Sequence, residues 1–297
     1  MTRTHRLRRS LLFVPGSEPR RLERARSSGA DTVLFDLEDG VAPNAKHDAR
    51  SLVAAALRAG GFGDSEAAVR VNGVGSPHCG ADLETVVAAG ATAIMLPKCE
   101  RGEQLRQIGD LLSRCERAAG RADGAVRILA LIETAAGVVN AAALAAASPR
   151  LDALCFGHAD LARDLGLDDA DASHGTLCHA RSSVVLAARA HGLPPIDSVC
   201  LTVRDDDAIH ADVALGLRLG FDGKLCIHPR QVEIANALYT PSPERIAAAQ
   251  RIIEAARAAE RDGHGVITLD GRMVDAPIVA AEERILARAR RAGALAG

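Results

Sequence analysis

Short runs of contiguous apolar, β-type residues alternate with longer Ala-rich stretches of helical periodicity, from the start of the chain almost to residue 240. The apolar runs predict strands at 11–14, 32–36, 68–71, 93–96, 128–132, 153–156, 196–199 and 223–227. Between them the spacing predicts helices at 18–28, 46–59, 81–89, 102–118, 136–147, 175–191 and 207–219, with another at 230–238. Gly29, Gly90 and Gly192, the last followed by Pro194, close three of these helices, because glycine accepts the left-handed conformation that ends a helix. A strand that reads as a continuous apolar run is buried on both faces, as in a parallel sheet covered by helices. Eight such strands, each followed by a helix, predict a TIM-type (β/α)8 barrel over residues 1–240. An open doubly wound sheet is the alternative topology. Beyond residue 240 the pattern changes: Thr240-Pro-Ser-Pro243 opens a helix to about residue 260, residues 263–273 read as a hairpin turning at Asp270-Gly271, and a last helix covers 277–291. Residues 241–297 are expected to form a helical and hairpin extension packed on the barrel or on a neighbouring subunit.

Composition narrows the function. With 297 residues, 48% hydrophobic and 25% charged, the chain is neither disordered nor a small disulfide scaffold. Five Phe, one Tyr and no Trp leave little for base stacking, and a formal net charge of −2 provides no global basic field, so no nucleic-acid partner is expected. The basic run at residues 3–9 reads as a solvated leader. No apolar stretch approaches the roughly 20 residues that span a bilayer, so no membrane association is expected. Seven scattered Cys without a C-x-x-C pair argue against a disulfide framework or zinc ribbon and predict a cytoplasmic protein.

In a barrel of this kind active sites lie at the C-terminal strand ends. There the sequence places Asp36-Leu-Glu-Asp-Gly40 after strand two, Arg70 and Asn72 on strand three, Lys98 after strand four, Glu133-Thr134 after strand five, Gly157-His-Ala-Asp160 after strand six, Asp197 on strand seven and His228 after strand eight. Carboxylates converging on one mouth repel unless a cation lies between them, and hard oxygen donors suit Mg²⁺ or Mn²⁺. Glu133 and Asp160, from adjacent strands, are the best-placed pair for one ion. Arg70 can fork onto a substrate carboxylate, or form a barrel-interior ion pair with Asp36 or Glu38. Lys98 suits salt bridging or substrate positioning better than a Schiff base. Cys155 and Cys226 read as core, Cys99 as the one cysteine near a strand mouth, and His228 as either a catalytic or a loop-orienting residue. The sequence lacks a G-x-G-x-x-G fingerprint, a phosphate-binding P-loop and a G-x-S-x-G elbow.

With these residues in place, the chain resembles the citrate lyase beta subunit and malyl-CoA lyase family of CoA-ester lyases. The resemblance runs from Arg9-Ser-Leu-Leu-Phe-Val-Pro-Gly16 through Phe35-Asp-Leu-Glu-Asp-Gly-Val41, Val69-Arg-Val-Asn72, Leu96-Pro-Lys98, Leu131-Ile-Glu-Thr-Ala-Ala-Gly137 and Phe156-Gly-His-Ala-Asp-Leu161. It continues in Gly220-Phe-Asp-Gly-Lys-Leu-Cys-Ile-His-Pro-Arg-Gln231 and ends in Asp270-Gly-Arg-Met-Val-Asp-Ala-Pro277. It implies a Mg²⁺-dependent lyase of a 3-hydroxy-3-carboxyalkyl thioester, carried on CoA or an acyl-carrier protein, that yields a 2-oxo acid. By the same resemblance Glu133 and Asp160 are the metal ligands, Glu133 also serving substrate and catalysis. Arg70 holds the substrate carboxylate, Asp36, Glu38 and Lys98 line the substrate site, and Asp275 is an acid/base carboxylate lent by a neighbouring subunit of a homo-oligomer, trimer or hexamer. One departure stands out: Ala159, preceded by His158, occupies a place where many relatives carry an acidic residue. A thioesterase or malate-synthase-like reaction, and a non-catalytic metabolite-binding subunit, are the alternatives on the same scaffold.

Overall fold

The structure, a computed structural model, describes residues 6–295, so residues 3–5 of the basic run lie outside the described residues. The chain divides after Asn236 into two compact units, a few residues before the expected boundary at 240.

Unit 1 is a closed parallel barrel of β1 (Ser10–Pro15), β2 (Thr32–Asp36), β3 (Glu66–Arg70), β4 (Ala93–Leu96), β5 (Arg127–Ile132), β6 (Leu151–Phe156), β7 (Pro195–Asp197) and β8 (Gly223–Cys226). The strands pair in chain order and β8 returns to β1, so the fold is the TIM-type (β/α)8 barrel and closure excludes the open sheet. The intervening helices are α1 (Pro19–Arg24), α2 (Lys46–Ala59), α3 (Cys79–Ala88), α4 (Gly102–Ala118), α5 (Ala135–Val139), α6 (Ala141–Ala145), α7 (His158–Asp164), α8 (Gly175–Ala190) and α9 (Asp206–Leu219), followed by α10 (Pro229–Tyr239). No helix among the described residues is long and apolar enough to cross a membrane.

Side chains alternate along a strand, and one row from each strand, including Leu11, Leu34, Ala68, Leu131, Ile196 and Leu225, packs into a single buried cluster. Two residues further along four of these rows stand Phe13, Asp36, Arg70 and Glu133. The pleat that fills the barrel therefore also carries ionisable groups to its C-terminal mouth. Two residues earlier on the same rows, Thr32 and Glu66 lie at the opposite end, where Arg8 binds Glu66 through Nε (2.7 Å) and Nη2 (2.8 Å) and reaches Asp152 at 2.7 Å. This corrects the expectation of a solvated leader. Arg8 is 3% exposed, and Arg9 donates to Asp31 at 2.7 Å; a guanidinium taken out of water must find carboxylates, and these strand starts supply them.

Three local differences from the sequence expectation concern the mouth. The helix expected at 136–147 is two short helices broken at Asn140, whose side-chain amide donates to Glu100 O at 2.9 Å; asparagine side chains compete with helical hydrogen bonding in this way. β7 stops at Asp197, leaving Ser198 free of the strand. The segment after β6, to which the sequence pattern assigned no helix, is the seven-residue α7.

Unit 2 contains α11 (Pro243–Arg261), a hairpin of β9 (Ile267–Leu269) and β10 (Arg272–Val274), and α12 (Ala276–Arg291). Asp270 and Gly271 both take positive φ, 52° and 75°, as the tight turn that matches strand twist requires. Ile246, Ala249 and Ile253 of α11 pack on Leu286 and Ala289 of α12.

Candidate active site

Arg70 organises one side of the mouth. Its Nε and Nη2 donate to the two carboxylate oxygens of Asp36, each at 2.7 Å, Nη1 lies 3.1 Å from Glu38 Oε2, and its guanidinium sits 4.8 Å from the centre of the Phe13 ring. The ion pair that the sequence offered as one alternative for Arg70 is thus present. Asp36 also accepts the backbone N–H of Glu38 and of Gly40, both at 2.9 Å. A carboxylate has about four acceptor positions, so Asp36 is fully engaged in orienting Arg70 and the loop after β2. A Cβ at position 40 would fall 2.3 Å from Asp36 Oδ2, which is why that loop needs glycine there.

Lys46 fastens the same loop by donating to Leu37 O (2.9 Å) and Glu38 O (2.8 Å). Asn72 donates to Leu37 O at 2.9 Å and to Asp82 Oδ2 at 2.6 Å, so its role is structural. Lys98 pairs through Nζ with Glu38 and lies 3.4 Å from Asp39. Its backbone does something the sequence could not show. Lys98 holds φ at 51°, a left-handed conformation costing a non-glycine residue about 1–2 kcal/mol, and its N–H donates to Glu133 Oε1 at 3.0 Å. The ammonium holds Glu38 while the amide holds Glu133.

Glu133 is 2% exposed. Burial pushes its carboxyl up to about 8, and the charge of Asp160 adds to the shift against the opposing pull of Arg70 and Lys98. Gly157 makes the close approach of the strand ends possible, since a Cβ there would meet Glu133 Cβ at 2.7 Å and Oε2 at 2.9 Å. The sequence placed this glycine in the segment after strand six but gave no sign of its contact with Glu133. Asp160, in the first turn of α7, accepts from Arg163 Nη2 at 2.6 Å through Oδ1.

Glu133 and Asp160 are thus neighbouring carboxylates, one of them buried, and the charge of Asp160 opposes ionisation of Glu133 even with Arg70 and Lys98 nearby and the exposed Arg163 on Asp160. Among the described residues no group of three or more His, Cys, Asp or Glu stands ready to hold a metal. Mg²⁺, however, commonly takes only one or two protein carboxylates and fills its octahedron with water and ligand. The donor set fits such a cation.

A cavity of about 450 Å³ opens at the Glu38–Lys98 side of the mouth, lined by Glu38, Asp39, Lys46, Asn72, Lys98 and Gln104 among others. A larger cleft of about 610 Å³ between α5 and α8 is lined almost wholly by apolar side chains and contains none of the candidate groups. Two further residues near the mouth have local partners. Cys99 is wholly buried, donates to Leu96 O at 3.2 Å and has its thiol pushed up by burial, so it presents no thiolate to the mouth. His228 accepts the Arg230 N–H through Nδ1 at 3.1 Å, a bond consistent with the loop-orienting alternative. Of the remaining candidates, Asp36, Glu38, Arg70, Lys98, Glu133 and Asp160 all belong to unit 1. Asp275 belongs to unit 2, where it caps α12 by accepting the Ile278 N–H at 3.2 Å.

The molecule is thus a (β/α)8-barrel protein with an arginine and a cation-suited carboxylate pair at its C-terminal mouth. The family model described as HpcH/HpaI aldolase/citrate lyase matches residues 9–229, and the chain belongs to that family. It is 38% identical over 281 residues to citrate lyase subunit beta of Leuconostoc mesenteroides subsp. cremoris, covering 95% of this chain and 93% of that one. It is 40% identical over 284 residues to a (3S)-malyl-CoA thioesterase of Cereibacter sphaeroides, covering 95% and 94%. Among solved structures, the protein CitE of Mycobacterium tuberculosis, in complex with magnesium, acetoacetate and coenzyme A, superposes with a TM-score of 0.77 at 33% identity, covering 97% of this chain and 99% of that one.

Proposed function

We propose that this protein is a Mg²⁺-dependent carbon–carbon lyase that cleaves or forms a 3-hydroxy-3-carboxyalkyl thioester, such as malyl-CoA, citramalyl-CoA or a citryl thioester, giving a 2-oxo acid and a shorter acyl thioester. The observation that carries the reading is the buried Glu133 carboxyl, which accepts the Lys98 N–H at 3.0 Å, feels the charge of Asp160, and stands, as Arg70 does, two residues beyond the core row of its strand. The magnesium and coenzyme A bound by the Mycobacterium tuberculosis relative support it.

Glu133 and Asp160 hold the cation, which when bound supplies Lewis-acid stabilisation of charge developing on the hydroxyl and oxo oxygens. Arg70 binds the substrate carboxylate, and Asp36 keeps its fork aimed. Glu38 and Lys98 shape the substrate side of the mouth while the Lys98 amide keeps Glu133 in place. In cleavage the 3-hydroxyl passes its proton to Asp275 of a neighbouring subunit as the carbon–carbon bond breaks, and Asp275 returns a proton to the thioester carbon; bond formation runs the same exchange in reverse. Binding of the carrier, CoA or an acyl-carrier protein, contributes energy far from the reacting bond. Seven cysteines without a disulfide suit a reducing cytoplasm.

The 40% identity to a (3S)-malyl-CoA thioesterase favours a second reading, in which water releases the thiol and leaves the hydroxy acid intact. Incubating the enzyme with a panel of hydroxyacyl thioesters, with Mg²⁺ or with a chelator, and quantifying 2-oxo acid and free thiol separates the two. Mg²⁺-dependent oxo acid without thiol is the expected result; thiol without oxo acid overturns the lyase in favour of the thioesterase.

A further inference from the structure

The first turn of α7 carries Asp160, yet its N-cap is Gly157, which has no side chain to satisfy the unpaired N–H groups of a helix start. The partner comes from another strand. Ser198, the residue after β7, accepts the His158 backbone N–H through Oγ at 3.0 Å, and the same oxygen lies 2.5 Å from His158 Nδ1. A hydroxyl can accept the N–H and donate its one hydrogen to Nδ1, so a single side chain holds both the backbone and the ring of His158.

Ser198 is itself fixed. Its N–H donates to Asp197 Oδ1 at 2.9 Å, and Asp197 is gripped by Arg181, through Nε at 2.8 Å and through Nη2, and by Lys224 at 3.2 Å. Arg181, Asp197, Ser198 and Lys224 are each at most 3% exposed. A buried, fully bonded charge network is rigid, whereas Arg163, the partner of the Asp160 carboxylate, has a side chain 73% exposed and restrains it weakly. His158 and Asp160 are two residues apart on one helical turn, so the position of the Asp160 carboxylate follows that of His158.

We propose that Ser198 is a positioning residue for the Glu133–Asp160 pair, acting through His158 on the first turn of α7. The proposal rests on the reading that this pair holds the cation. It also gives His158 a use: next to Ala159, which adds no charge beside Asp160, the chain carries a ring that ties α7 to the network at the end of β7.

Mn²⁺ binding to the metal-free full chain, followed by electron paramagnetic resonance and compared with thermal unfolding of the same samples, tests the idea without reference to turnover. Glu133→Gln should abolish Mn²⁺ binding; if it does not, the cation reading fails and this proposal with it. Ser198→Ala should weaken binding by about 10-fold or more, the usual cost of losing a group that orients a ligand, while Ser198→Thr, which keeps the hydroxyl, should restore most of it. Should Ser198→Ala not fold, His158→Gln takes its place with loss in the same direction. Loss of binding in Glu133→Gln together with wild-type Mn²⁺ affinity in folded Ser198→Ala or His158→Gln, whatever their unfolding temperatures, overturns the positioning role alone.

Discussion

Glu133 concentrates the electrostatic problem of the mouth. In the unfolded chain its carboxyl ionises near ~4.3, but in the fold burial and the charge of Asp160 raise it to about 8. Between these values the folded state binds the extra proton. Stability from this group is therefore fully present below about pH 4 and is lost as pH rises through about 8. Urea unfolding of metal-free protein across that window should show the wild type losing on the order of a few kcal/mol relative to Glu133→Gln; parallel pH profiles would contradict the assignment. Gly157→Ala supplies a steric counterpart. With the new methyl 2.7 Å from Glu133 Cβ, overpacking should cost about 1–3 kcal/mol and abolish the rise in unfolding temperature on adding Mg²⁺. At this scale the sequence revealed strand ends, since Asp36, Arg70 and Glu133 stand where apolar runs finish; that they continue the rows that build the core is a finding of the structure. The sequence could not reveal the Lys98 amide, because a backbone donor in a left-handed residue has no side-chain signature.

At the scale of elements, caps separate structural from chemical roles. Asp275 accepts the Ile278 N–H at the start of α12, a duty asparagine performs as well as aspartate. Asp275→Asn should therefore keep wild-type unfolding behaviour and lose turnover, whereas Asp275→Ala should lose turnover and a further ~1 kcal/mol of stability. Wild-type turnover in the asparagine variant would reduce Asp275 to a cap. Long elements were legible because several turns or a whole apolar run repeat the signal. The break at Asn140 that splits one expected helix into α5 and α6 was not, nor was α7, since five to seven residues hold too little of the 3.6-residue period to set their own bounds. These short helices carry the ends of the site, Thr134 capping α5 and Asp160 standing in α7. The sequence thus located the strands that build the mouth better than the turns that finish it.

On the scale of the whole molecule, the chain is a complete barrel followed by a second compact unit of about sixty residues. Repetition of strand and helix made the barrel legible. The proposal that Asp275 serves a neighbouring subunit makes a prediction at this scale. Arg70→Ala and Asp275→Asn, each inactive alone, should regain part of the activity in mixed oligomers, because some sites then pair an intact barrel with an intact Asp275; verified mixed oligomers without activity would count against a shared site. The most direct test of the central claim is the product analysis itself, with a hydroxyacyl thioester that the enzyme turns over. The account predicts one 2-oxo acid and one shorter acyl thioester per substrate, in equal amounts and only with a divalent cation present; free thiol beside an uncleaved hydroxy acid, or undiminished cleavage under chelation, would contradict it.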